Sequence, residues 1–92
     1  MIEVVYAEEF IKDLKKLKGS PYYTAIKSLC FDYVPSLKSP TEIVNLKKLK
    51  GFDDFFRIRK GDYRIGVRIE KNSIQFLRCM SRKDIYKYFH KK

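Results

Sequence analysis

Residues 55–70 read Phe55-Phe56-Arg57-Ile58-Arg59-Lys60-Gly61-Asp62-Tyr63-Arg64-Ile65-Gly66-Val67-Arg68-Ile69-Glu70. Two runs in which apolar and cationic residues alternate flank Gly61-Asp62, the pattern of a β-hairpin with a two-residue turn. With that turn Arg59 faces Arg64, Ile58 faces Ile65, Arg57 faces Gly66 and Phe56 faces Val67. Period-2 alternation places Arg57, Arg59, Arg64 and Arg68 on one face of the sheet. Phe56, Ile58, Ile65, Val67 and Ile69 fall on the other. Like charges directly opposed destabilise a strand pair by roughly 0.2–1 kcal/mol. Stability therefore does not select Arg59 opposite Arg64, and Glu70 is the only acidic counterpart expected on that face. Gly66 in mid-strand is a second irregularity, of the kind that marks close approach by a ligand or another backbone. An anion-binding face accounts for both; a plain solvated sheet face is the alternative.

Outward from the hairpin, Lys71-Asn72 separates Tyr63–Glu70 from a third strand, Ser73–Cys79. In simple alternation Gln75, Leu77 and Cys79 join the basic face and Ile74 and Phe76 the core. Arg78 would then point coreward, which a bulge would relieve. Cys79 reads as a structural thiol rather than a nucleophile. Upstream, Ile2–Tyr6 is a short β-branched and aromatic run. Phe10, Ile11, Leu14 and Leu17 mark one face of an amphipathic helix ending at Gly19. Ser20-Pro21 reads as N-cap and first helical position of a second helix, whose apolar face is Tyr22, Ile26, Leu29, Cys30 and Tyr33. Pro35, Ser36, Ser39, Pro40 and Thr41 mark a loop, and Lys47, Lys48 and Lys50 sit in a connector before Gly51. Asp84–His90 has a helical pattern. The order β-α-α-β-β-β-α predicts an α+β fold in one domain, residues 1–92. Its sheet is small and largely antiparallel with an N-terminal strand, a two-helix hairpin packs on one face, and a short C-terminal helix follows.

The chain has 92 residues, a formal net charge of +10 and a pI near 9.7. The excess is segregated. Residues 1–44 hold six lysines and six acids, whereas residues 45–92 hold fifteen Lys and Arg, all six arginines among them, and five acids. Arginine is suited to bidentate phosphate contacts and to stacking on bases, so the second half is the candidate polyanion surface. No apolar stretch approaches the roughly 18 residues of a membrane span. The N-terminus has no signal-peptide pattern, and two cysteines make neither a disulfide framework nor a metal cluster. A cytoplasmic protein without cofactor or metal is expected.

In the tail, Ser81-Arg82-Lys83-Asp84-Ile85-Tyr86 follows directly on the third strand, and Tyr86 and His90 share a helical face at i and i+4. Three stretches together carry a resemblance: Leu46-Lys47-Lys48-Leu49-Lys50-Gly51, Phe56 through Ile65, and Ser81 through Tyr86. They resemble the RelE/ParE superfamily of type II toxins, and Phe10 through Leu17 is similar to the first helix of that family. The Arg82…Tyr86 ending is similar to the RelE branch, the mRNA interferases that cleave mRNA in the ribosomal A site. The resemblance maps two basic strand positions onto Arg57 and Arg59, the arginine after the tyrosine onto Arg64, and the tail pair onto Arg82 and Tyr86. Some relatives have lysines at the two strand positions and histidine where this chain has Ser81. Ala7 stands where relatives often have a helix-capping serine.

The resemblance implies a ribosome-dependent, metal-independent endoribonuclease held silent by a cognate antitoxin, with DNA touched only through the antitoxin complex. Cleavage by 2′-OH attack needs a base, stabilisation of phosphorane charge, and protonation of the leaving 5′-oxygen. Arg57, Arg59, Arg64 and Arg82 suit the second task, and Tyr86 is the candidate base or stacking platform, with Lys83 and His90 in reserve. Lys47, Lys48, Lys50, Arg68 and Lys83 are the expected RNA-binding residues. A ParE-like inhibitor of DNA gyrase and a noncatalytic nucleic-acid-binding module are the alternatives.

Overall fold

A computed structural model describes residues 2–49 and 54–89, without the side chains of Tyr86, Tyr88 and Phe89. Lys50 and His90 lie outside the described residues. The elements run β1 (Glu3–Tyr6), α1 (Glu8–Lys16), α2 (Tyr23–Ser28), a π-helical turn (Leu29–Tyr33) and α3 (Val34–Ser36). After a 3-10 turn (Pro40–Glu42) come β2 (Leu46–Lys48), β3 (Phe55–Lys60), β4 (Tyr63–Glu70), β5 (Ser73–Ser81) and α4 (Arg82–Phe89). The sheet order is β1-β5-β4-β3-β2, antiparallel except for the parallel β1–β5 pair. This is the α+β architecture that the alternation and helix patterns predict.

The β3–β4 register matches the sequence reading at Arg59↔Arg64, Ile58↔Ile65, Arg57↔Gly66 and Phe56↔Val67. Ile58, Ile65 and Val67 bury with Phe10, Leu14, Ile26, Val34, Ile74 and Phe76 in one core between the sheet and the helices. On β5 the register passes from Val67↔Phe76 to Gly66↔Arg78, so Leu77 is an extra, bulged residue. The bulge reverses the alternation beyond it. Cys79, expected on the basic face, pairs with Ile65 and is buried in the core.

Three local expectations change. Lys47 and Lys48, read as a connector, belong to β2, where Lys47 pairs with Arg57 and Lys48 with Phe56. A three-residue edge strand with two lysines carries no local β signal; pairing to the free edge of β3 creates it. The second helix begins at Tyr23 and not at Pro21, because the Ser20 hydroxyl accepts the Tyr22 N–H at 3.0 Å and closes a turn first.

That helix also continues past the expected stop, through Pro35. Proline has no N–H to donate and crowds the preceding turn. The π-helical turn accommodates it: the Val34 N–H reaches the Leu29 carbonyl, one residue further back than in an α-helix. In that pattern the Cys30 carbonyl would look to Pro35, which has no donor, and the Tyr6 hydroxyl takes the place at 2.8 Å. Tyr6 is held there by rings, 4.4 Å from Phe31 and 5.3 Å from Phe76 between centroids. A β1 side chain thus repairs a gap in the helix behind it.

α1 starts at Ala7, which has extended backbone and no side-chain cap. Glu8 and Glu9 in its first turn and Lys15 and Lys16 in its last complement the helix dipole. Ala7→Ser supplies the missing acceptor and is expected to raise stability by about 1 kcal/mol, read as a higher urea midpoint at constant slope.

Candidate nucleic-acid interface

The site is built on the Gly61-Asp62 turn. Gly61 has φ +59°, and a Cβ there would collide with the Tyr22 ring at the start of the second helix. Tyr22 in turn meets Tyr63 edge-on with centroids 5.3 Å apart. The helix layer therefore clamps the hairpin end from behind.

Three arginines gather at this turn. Arg64 is 7% exposed, and its Nη1 donates to the carbonyls of Gly61 at 2.8 Å and Tyr63 at 3.1 Å. Arg59 lies directly across the strand pair and is exposed. The Arg82 backbone N–H donates to the Asp62 carbonyl at 2.9 Å, which seats the start of α4 on the same turn with the Arg82 side chain exposed. The Ser81 hydroxyl accepts the Asp84 N–H at 3.3 Å and caps α4, which packs on β4 and β5 and buries Ile85. Tyr86 follows Arg82 by one turn of the α4 backbone, and Lys83 is exposed beside Arg82.

A second row crosses four strands: Lys47 opposite Arg57, Arg57 opposite Gly66, Gly66 opposite Arg78. Arg57 is half-buried and Lys47 exposed. Lys48 points to the other face of the edge strand, so the two lysines do not act as one cluster.

The face is less open than four free guanidinium groups. Arg64 folds back onto turn carbonyls, and Arg68 lies 3.5 Å from Asp54 and 3.6 Å from Glu70. Asp54 is an acidic partner that strand alternation alone does not reveal, because it precedes β3. These pairs are about two-fifths exposed or more and contribute little to stability. They do neutralise the end of the face remote from the turn.

Behind β5, Asp13 of α1 is 6% exposed and accepts three hydrogen bonds. Arg78 donates Nε at 2.7 Å and Nη2 at 3.1 Å, and the Cys79 backbone N–H donates at 2.9 Å. β1 has ended by this point, and its last link is the Ala7 N–H to the Phe76 carbonyl. The carboxylate supplies the acceptor that a further residue of β1 would have given.

Both cysteines are free thiols in the core. Burial, and then the Asp13 carboxylate, push the Cys79 thiol up to about 12; burial and the neighbouring Cys79 push Cys30 up as well. Both are expected to resist iodoacetamide at about pH 8 in the folded protein and to react once it is unfolded in urea. The same shifts fix an alkaline limit. The unfolded thiols ionise near 9 while the folded ones stay protonated, so stability is full below about pH 9 and falls as pH rises toward 12.

Among the described residues, no group of three or more His, Cys, Asp or Glu side chains is placed to hold a metal ion, and no helix is long and apolar enough to cross a membrane.

A five-stranded sheet with α1 and α2 packed behind it, and arginines gathered round the tight turn at one end, defines a small α+β protein with a cationic site. No family model matches the chain. It is 35% identical over 89 residues to Toxin RelE3 of Methanocaldococcus jannaschii, spanning 96% of this chain and 99% of that protein. A chain in the crystal structure of the RelB-RelE antitoxin–toxin complex from Methanococcus jannaschii superposes with a TM-score of 0.73 at 35% identity, over 92% of this chain and 98% of that one. The archaeal RelE-RelB complex from Pyrococcus horikoshii gives a TM-score of 0.66 at 25% identity, over 88% and 94%. The chain belongs to the RelE family of type II toxin–antitoxin toxins.

Proposed function

We propose that this toxin is a ribosome-dependent endoribonuclease that cuts translated mRNA. The observation that carries the reading is the trio Arg59, Arg64 and Arg82 on one rigid turn, with Arg57 two residues along β3 from Arg59. A ribose 2′-oxygen attacks the adjacent phosphorus and the bond to the 5′-oxygen breaks, leaving a 2′,3′-cyclic phosphate and a 5′-hydroxyl. Charge grows on the equatorial phosphate oxygens as this happens. Guanidinium donors fixed before the substrate arrives stabilise that charge without reorganising. Arg64 is the best fixed of them, because the turn carbonyls already hold its Nη1.

Arginine stays protonated and cannot take the 2′-proton. Tyr86 is the assigned proton acceptor or base-stacking platform, with Lys83 as a proton donor to the leaving oxygen. Weak acid–base equipment fits an enzyme for which the ribosome orients the mRNA and the protein supplies charge. Lys47, Lys48, Lys50, Arg68 and Lys83 serve RNA binding in this reading. Lys48, on the helix-side face, would grip a different strand from Lys47. An acidic antitoxin that folds as it binds is the matching partner, since relatives are found in complexes with RelB. Contact with DNA would then run through that complex.

Mapping mRNA 5′ ends after induced expression, with and without ongoing translation, tests the reading. New ends confined to translated regions are expected. Intact mRNA together with inhibited DNA supercoiling would assign the protein to gyrase instead.

A further inference from the structure

Of the two residues in the β3–β4 turn only Gly61 has positive φ, the pattern of a type II′ turn. Both carbonyls of this turn are engaged. That of Gly61 accepts Arg64 Nη1 at 2.8 Å, and that of Asp62 accepts the Arg82 N–H at 2.9 Å. The direction of each carbonyl therefore sets where a guanidinium group or the start of α4 is held. Rotation of the peptide that joins Gly61 to Asp62 would swing the Gly61 carbonyl away from Arg64 Nη1.

The Tyr22 ring stands against this peptide from the helix side, so close that any Cβ at Gly61 would collide with it. Tyr22 is itself fixed. Its N–H donates to the Ser20 hydroxyl at 3.0 Å, and its carbonyl accepts the N–H of fully buried Ile26 at 2.9 Å. The same ring meets Tyr63, which pairs with Lys60 across the turn and with Ser81, the residue before Arg82. A Gly-Asp turn of this type forms from its own backbone preference and needs no ring behind it. What the ring adds is close packing, which leaves the turn a single arrangement.

We propose that Tyr22 is a positioning residue for cleavage: from behind the turn it holds the Gly61 and Asp62 carbonyls, and through them Arg64 and Arg82, at one spacing. This rests on the RNA-cleaving reading and adds to it a residue outside the cationic face. Donors stabilise a transition state only where they are placed beforehand, and a displacement of about 1 Å can cost about 10²-fold in rate. RNA affinity, which depends on how many charges meet phosphates, is far less sensitive to that spacing.

Tyr22→Leu removes the ring and keeps an apolar side chain, whereas Tyr22→Phe keeps the ring. Single-turnover cleavage on programmed ribosomes, over a range of toxin concentrations, separates the maximal rate from the concentration that gives half of it. Tyr22→Leu is expected to lower the maximal rate about 10- to 100-fold, with the half-rate concentration within about twofold of wild type. Tyr22→Phe should cleave at about the wild-type rate. Gly61→Ala deletes nothing from the core but drives a methyl group into the ring, and should also slow cleavage. Gly61→Ala/Tyr22→Leu should be no slower than Gly61→Ala, because the ring that the methyl strikes is gone. A wild-type maximal rate from folded Tyr22→Leu or from Gly61→Ala, an equal loss in Tyr22→Phe, or losses that multiply in the double variant would overturn the role of Tyr22 alone. So would weaker binding at an unchanged maximal rate. A wild-type protein that cuts no translated mRNA would overturn the proposed function and the positioning role with it.

Discussion

Arg82→Ala is expected to slow ribosome-dependent mRNA cleavage by at least about 10²-fold while leaving the melting temperature unchanged. A pre-placed donor to a developing oxyanion contributes roughly that factor. Arg82 anchors α4 through its backbone N–H, bonded to the Asp62 carbonyl, and its side chain is exposed. Removing the guanidinium therefore takes charge from the site without loosening the turn. Arg64→Ala should lose as much activity but also unfold more easily, because its buried guanidinium ties the Gly61 and Tyr63 carbonyls together. Single-turnover cleavage on programmed ribosomes, set beside thermal melts, separates the two effects. Wild-type cleavage by folded Arg82→Ala protein would remove this arginine from the mechanism.

The second large effect is on stability. Asp13→Ala is expected to destabilise the fold by about 3–5 kcal/mol, the cost of breaking a buried pair and leaving its cation behind. The substitution takes the carboxylate from both the Arg78 guanidinium, 18% exposed at the side chain, and the Cys79 N–H. Arg78→Met in the Asp13→Ala background should recover part of the loss, since the cation that has lost its carboxylate goes with it. The Cys79 N–H remains without its acceptor, so recovery is incomplete. Urea unfolding of the four proteins in a double-mutant cycle measures the coupling. Additive losses would mean that Asp13 and Arg78 stabilise the fold independently.

The parts legible in the sequence are those set by local pattern. The Gly61-Asp62 turn and the alternation around it fixed the β3–β4 pairing residue by residue, and the motifs from Arg57 to Arg64 and from Arg82 to Tyr86 carried the family. What was not legible depends on partners far away along the chain. β2 exists because β3 offers an edge. The bulge at Leu77 was foreshadowed only by the awkward placement of Arg78, which the structure resolves by pairing it with Asp13, 65 residues away. Pro35 reads as a breaker and is tolerated because Tyr6 accepts the task of satisfying Cys30. In the site, the charged face was readable but its state was not: Arg64 turns inward to carbonyls and Arg68 outward to Asp54.

The parallel pairing of β1 with β5 joins Glu3 to Ser73 and Tyr6 to Phe76, near opposite ends of the described chain. Loop closure over that separation comes late in folding and slows it. During synthesis β1 waits without its neighbour until β5 has been made and released from the exit tunnel, and α4, with Arg82, emerges later still. The hairpin can form early, but the arginine trio is complete only when nearly the whole chain is free. On the proposed function, a chain still being synthesised lacks its complete arginine site, and that delay would give an antitoxin time to reach it before the site is assembled.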